Sequence, residues 1–533
     1  MSGTAVPGWR PGALLLVLLV ALCALAPVGA SAQSSDPAVP DPLDRGDYTV
    51  ARVDPVKLGT VPLQEPNSSG GATTTAAGAT DLEIRGVLYY PSARSEPSPV
   101  IVLVHGNHGS CDSGSAPNCT IFKRNDEGYA YLGENLASWG YTVISLDQDQ
   151  LIYYQDSAKG KGMHQRRRLI DAALDKLTLA NQAGGLPNDA NTNIGTTLVG
   201  KLDMERIGLM GHSRGGDGIS SFLDYNRMRS DGTRYPIRGA ISLAPVDYER
   251  KAPYGTPYLT ILPFCDGDVS NLQGARFYER SQYAKADDPF PRIQMSVMGG
   301  NHNWFNTVWF ADNDDSSQSD NGCQQTNGTN SRLSGDASGD TDASNNSYKI
   351  DNSDKLNPAV NTRISGDPAL MGDQEKIGLA TMSAFFRRYV GGEGAFDPYM
   401  TGELSLTDDH RQLPDSACPT SVTGMRMDCD ERLSTSYFAP PDERVDVIRP
   451  ETDDPLGTSA LGTKLKAKGF ANPYLDGGGV TPKPATTASG LDWCNPEPIH
   501  FAPGQLNVTG NPVATKPCPL PAAGGLGGAE RNP

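Results

Sequence analysis

The chain has 533 residues, 37% of them hydrophobic, so it can bury a large core in one elaborated domain with appended segments. Its 62 acidic residues against 45 basic ones give a formal charge of −17. That balance repels a phosphate backbone and weighs against nucleic acid as a partner.

At the N-terminus Arg10 precedes the apolar run ALLLVLLVALCALA, and Ala30-Ser31-Ala32 supplies the small residues a signal peptidase accepts. Residues 1–32 therefore read as a cleaved signal peptide and the mature chain as secreted. The run is about 14 residues where a spanning helix needs about 20, and no later segment is expected to cross a bilayer. Of the nine cysteines, Cys23 lies in this run, and the remaining eight suggest disulfides in an exported chain. Pairing neighbours gives Cys111–Cys119, Cys265–Cys323, Cys418–Cys429 and Cys494–Cys518 as expectations, although sequence cannot fix the pairing.

Residues 33–80 are rich in Pro, Ser, Thr, Gly and Ala and read as a flexible leader. From Asp81 the pattern alternates. LEIRGVLYY, PVIVLVHG, YTVISLD, RIGLMGHS, GAISLAPV, YLTILPF and RIQMSVMG read as strands, with helices around YLGENLASWG, QRRRLIDAALDKLTLANQ and ISSFLDYNRM between some of them. Apolar runs without polar alternation suit strands buried on both faces of a parallel, doubly wound sheet. Residues 311–368 hold little that can enter a core and read as a polar loop insertion; their acidic spacing lacks an EF-hand's closing Glu. QEKIGLATMSAFFRRYVGG then reads as a helix stopped by Gly391 and Gly392, closing a domain over 81–392. Residues 393–533 form an irregular Pro/Gly-rich extension in which RVDVIR and IHFAPGQLNV are the strand candidates.

The stretch from Gly211 to Gly215 places Ser213 between glycines at a strand-to-helix turn, where an apex side chain stands clear of the sheet edge. A serine hydroxyl needs a histidine to take its proton and a carboxylate to orient the imidazole. His302, in GGNHNWFN after the last predicted strand, is the expected base. Asp266, at the end of YLTILPFCDGDV and with Val269 completing a DxxV spacing, is the expected acid, ahead of Asp268. The N–H groups of Arg214 and Asn107 are the expected oxyanion donors. His105 is expected to brace its loop; a His105/His108 metal pair lacks a third ligand, and neither metal nor cofactor is expected. Tyr153, Tyr154, Trp304 and Phe305 are expected along the substrate pocket, and Arg166 to Arg168 on a solvated helix face.

With VHGNHG, GHSRGG, CDGDV and GGNHNWFN in this order, the chain resembles the α/β-hydrolase superfamily, and within it secreted bacterial serine hydrolases similar to dienelactone hydrolase, chlorophyllase and polyester hydrolases. The resemblance covers 81–392. It implies cleavage of a carboxylic ester in a small molecule, lipid or polymer through an acyl-serine intermediate. The insertion and the C-terminal extension depart from that pattern. Peptidases and acyltransferases share the triad and stay open as alternatives, as does a catalytically inactive cell-surface binding protein.

Overall fold

The computed structural model describes residues 39–62, 64–66, 72–74, 81–115, 118–155, 162–309 (except 231, 270, 283 and 286), 371, 373–403, 432–445, 447 and 461–463. Nine strands form its main sheet: β1 Val50–Val61, β2 Leu82–Pro91, β3 Ser98–Val104, β4 Thr142–Leu146, β5 Leu202–His212, β6 Ile237–Leu243, β7 Tyr258–Pro263, β8 Arg292–Val297 and β9 Leu433–Phe438. Their order is β1-β2-β4-β3-β5-β6-β7-β8-β9. From β4 to β8 neighbours run parallel, while β1 and β2 at one edge and β9 at the other are antiparallel. A mixed α/β fold with a large, mostly parallel sheet is thus what the buried apolar runs build. Among the described residues no helix is long and apolar enough to cross a membrane.

The α-helices among the described residues are α1 Ala130–Ser138, α2 Asp149–Gln155, α3 Met163–Asn181, α4 Arg214–Met228, α5 Ala275–Gln282, α6 Asp373–Tyr389 and α7 Asp397–Thr401. Alternation along β3 shows how they sandwich the sheet. Val100, Val102 and Val104 join the cluster that holds Leu169, Ile170 and Leu174 of α3 and Ile219, Phe222 and Leu223 of α4. Ile101 points the other way, toward Gly208 of β5. A Cβ on Gly208 would lie 2.6 Å from Ile101 and 2.8 Å from the Phe386 ring of α6, so the missing side chain admits that ring. Every residue of β3 and β4 is buried. Each large aliphatic side chain so enclosed contributes about 1.5 to 3 kcal/mol by leaving water.

Two sequence expectations are corrected. The leader does not run to residue 80, because Val50–Val61 is the edge strand of the sheet and buries Val56, Leu58 and Val61 against α3. Its apolar side chains recur at near-alternate positions, a strand pattern that the Pro- and Gly-rich flanks obscure. In the C-terminal extension, expected to be irregular there, Leu433–Phe438 forms a strand that pairs with β8; of the candidate RVDVIR only Arg444, Val445 and Val447 are described, and Val445 is 74% exposed. Six residues suffice there because β8 supplies the ladder. The insertion at 311–368 and the candidate IHFAPGQLNV lie outside the described residues.

Cys111 and Cys119 form a disulfide across a small antiparallel ribbon, Cys111–Ser115 with Asn118–Phe122. Cys265 is likewise disulfide-bonded; its expected partner Cys323, and Cys418, Cys429, Cys494 and Cys518, lie outside the described residues. Closing a short loop restricts the unfolded chain, so the double change Cys111→Ser/Cys119→Ser is expected to cost about 2 to 3 kcal/mol, read as a lower denaturation midpoint.

Candidate active site

Ser213 stands between β5 and α4 with φ 56° and ψ −122°, a backbone conformation that a non-glycine residue adopts only when its surroundings enforce it. Those surroundings are hydrogen-bonded. The Ser213 amide donates to the Leu243 carbonyl at 2.8 Å, and the Ser213 carbonyl accepts from Gly216 at 2.9 Å. The glycines are required because the strand, turn and helix nearly touch. A Cβ on Gly215 would stand 2.2 Å from the Val104 carbonyl oxygen, a backbone atom that cannot yield. Gly215→Ala is therefore expected to destabilise the fold by about 3 kcal/mol, measured by chemical denaturation.

Asp266 and His302 come from the loops after β7 and β8. Asp266 Oδ2 lies 2.9 Å from His302 Nδ1, and the two side chains are 1% and 3% exposed. The other carboxylate oxygen of Asp266 accepts the amides of Asp268 at 3.0 Å and Val269 at 2.6 Å. This is the physical content of the DxxV spacing: the turn folds back to clamp the carboxylate. Asp268 also approaches the ring, its Oδ2 3.5 Å from Nε2, but its side chain is 62% exposed.

His212 immediately precedes the serine. It is fully buried, and its Nε2–H donates to the His302 carbonyl at 2.9 Å while its Nδ1 accepts the Tyr129 hydroxyl at 2.9 Å. Burial holds its pKa well below the ordinary range, so it is neutral and this tautomer is the one the partners impose. The residue preceding the serine thereby fixes the backbone of the residue 302 loop. Its ring lies 5.0 Å from that of His302.

The loop after β3 packs directly onto the elbow. A Cβ on Gly106 would lie 2.7 Å from the Ser213 Cβ, so the backbone leading to Asn107 runs beside the hydroxyl-bearing carbon. Arg214 opens α4, and first-turn amides of a helix have no acceptor within it.

A Streptomyces coelicolor bis(hydroxyethyl) terephthalate hydrolase is 26% identical over 242 residues, 45% of this chain and 59% of that protein. Cutinase 2 of Thermobifida cellulosilytica is 31% identical over 116 residues, 22% of this chain and 33% of that protein. Lipase 1 of a Moraxella species is 25% identical over 173 residues, 32% of this chain and 42% of that protein. This chain resembles the cutinase-type bacterial esterases of the α/β-hydrolase superfamily. It spans less than two thirds of the length of each of these relatives. No protein-family model matches it.

His105 braces the loop after β3. It is fully buried, its Nδ1–H donates to the Gly106 carbonyl at 2.9 Å, and its Nε2 accepts the Gln148 amide at 2.7 Å. Burial pushes its pKa down to about 4. His105, Asp147 and Asp149 bring three potential ligand atoms within 4.8 Å of one another. Each is committed to protein partners: Asp147 accepts from Arg85 Nε at 2.6 Å and Asp149 from the Arg124 amide at 2.9 Å.

Arg166 and Arg167, expected on a solvated face, are 0% and 1% exposed. Arg166 Nη1 donates to the His105 carbonyl at 3.0 Å, and Arg167 Nη2 donates to His164 Nδ1 at 2.7 Å. Helix α3 is roofed by α4 and the Asn107 loop, and a guanidinium enters such a space where carbonyls and ring nitrogens receive its protons. Nothing in a run of three arginines distinguishes this from a solvated face. Trp304 and Phe305 are 4% and 0% exposed, Phe305 lying against Gly378 of α6. Trp309 stacks on His108 at 4.9 Å and lies 4.8 Å from the His212 ring. Tyr153 and Tyr154 fall in α2, but their side chains are outside the described residues.

Proposed function

We propose that the chain is a secreted serine hydrolase that cleaves a carboxylic ester. Ser213 attacks the ester carbonyl as His302 Nε2 takes its proton, Asp266 orients the imidazole and stabilises its cationic form, and the N–H groups of Asn107 and Arg214 hold the oxyanion. His302 then protonates the departing alkoxide. Water, deprotonated by the same histidine, attacks the acyl-serine and releases the acid.

The observation that carries this reading is the buried 2.9 Å pair of Asp266 and His302, the latter on a loop bonded through its residue 302 carbonyl to His212, the residue before a serine held at positive φ. Such strain costs free energy and persists only where the fold enforces it. The relatives, named as a terephthalate-ester hydrolase, cutinases and a lipase, support an ester as substrate. We place small aromatic or aliphatic esters and polyesters ahead of peptides on that ground. The N-terminal signal pattern and the Cys111–Cys119 bridge support export.

Turnover of bis(2-hydroxyethyl) terephthalate and p-nitrophenyl esters of graded chain length, beside peptide p-nitroanilides, tests the reading. Ester cleavage at least about 10²-fold faster in kcat/KM than peptide cleavage is expected. Preferential amide cleavage makes the chain a peptidase. No turnover, with no covalent labelling by a fluorophosphonate, leaves the inactive binding protein.

A further inference from the structure

We infer that Asp268 is a positioning residue that holds the outer nitrogen of His302 in the resting site and sets the pH at which the imidazole becomes a free base; this rests on the triad reading above. The ring has a carboxylate at each nitrogen, Asp266 2.9 Å from Nδ1 and Asp268 3.5 Å from Nε2. In other respects the two acids differ. Asp266 is locked by two backbone amides and is 1% exposed, whereas the side chain of Asp268 is 62% exposed and can turn into solvent by rotation about its own bonds.

The two contacts have different consequences. When Nδ1–H is donated to Asp266, a neutral ring presents a lone pair at Nε2, and a carboxylate 3.5 Å away repels it. Contact with Asp268 is attractive only when Nε2 carries a proton. Asp268 therefore favours the imidazolium, which cannot accept the serine proton, and its departure frees Nε2 to face Ser213. The described neighbours His212, Asn301, Asn303 and Gln374 carry no negative charge. From β5 comes neutral His212, with its ring 5.0 Å away. On its own loop His302 is flanked by uncharged Asn301 and Asn303, and the residue of α6 bonded to Asn301 is Gln374.

The test is the pH dependence of fluorophosphonate labelling in the full chain and in Asp268→Asn. The acid limb is expected to move down by about 0.5 to 1 pH unit, making labelling on that limb about three to ten times faster. Added salt should shrink the difference, since an exposed carboxylate is screened, and Asp268→Glu should restore the original limb. An unmoved limb in Asp268→Asn overturns the inference. So does a collapse of the alkaline plateau to the level of Asp266→Asn, which would make Asp268 the orienting acid. If the unaltered chain takes no label at any pH, the hydrolase reading fails instead. NMR titration of the His302 C2–H, assigned by its loss in His302→Gln, then still reads the shift.

Discussion

Replacing Ser213 by Ala is expected to abolish fluorophosphonate labelling and to lower kcat for ester hydrolysis by about four to six orders of magnitude. The change removes only an oxygen. Alanine tolerates φ 56° no better than serine, and the amide and carbonyl bonds that enforce that angle belong to the backbone, so the thermal midpoint should move little. What remains should be the catalysis supplied by the oxyanion donors and by binding. Label that survives in Ser213→Ala would place the nucleophile elsewhere and end the acyl-serine reading.

Asp266→Asn carries the second largest expected effect, a fall of about 10³ to 10⁴ in kcat/KM with the fold intact. The asparagine carbonyl can keep the amides of Asp268 and Val269, which the structure places 3.0 and 2.6 Å from Oδ1. Its NH₂ then faces Nδ1 and donates to it, so the proton of the neutral ring moves to Nε2. A ring protonated at Nε2 cannot accept from serine. Equal folding by circular dichroism and an activity loss at every pH are the expected pair of results. Activity within about tenfold of the unaltered chain would show that the orienting carboxylate lies elsewhere.

The two carboxylates also show where a spacing argument stops. CDGDV puts both Asp266 and Asp268 in reach of a loop-borne histidine, and DxxV favours the first. The reason for the preference lies in the backbone: the turn returns the amide of Val269 to the carboxylate of Asp266, and this is visible only with the loop folded. His212 is a similar case. Its position before the serine does not name its partner, and its bond to the carbonyl of residue 302 joins positions 90 apart in the chain. Arg166 spans 61 positions to reach the carbonyl of His105, so a local charge run cannot reveal that it is buried.

Local order was legible because its causes are local. Apolar runs bounded by glycines announce strands buried on both faces, and a serine between small residues at a strand-to-helix junction announces the elbow; both follow from sterics and hydrophobic burial over a few residues. Tertiary structure alone decided that Val50–Val61 and Leu433–Phe438 close the two sheet edges, since an edge strand draws half its definition from the ladder it joins. It also decided that two carboxylates share one imidazole, because electrostatic contact depends on distance through space and the chain between residues 266 and 302 carries no record of that distance.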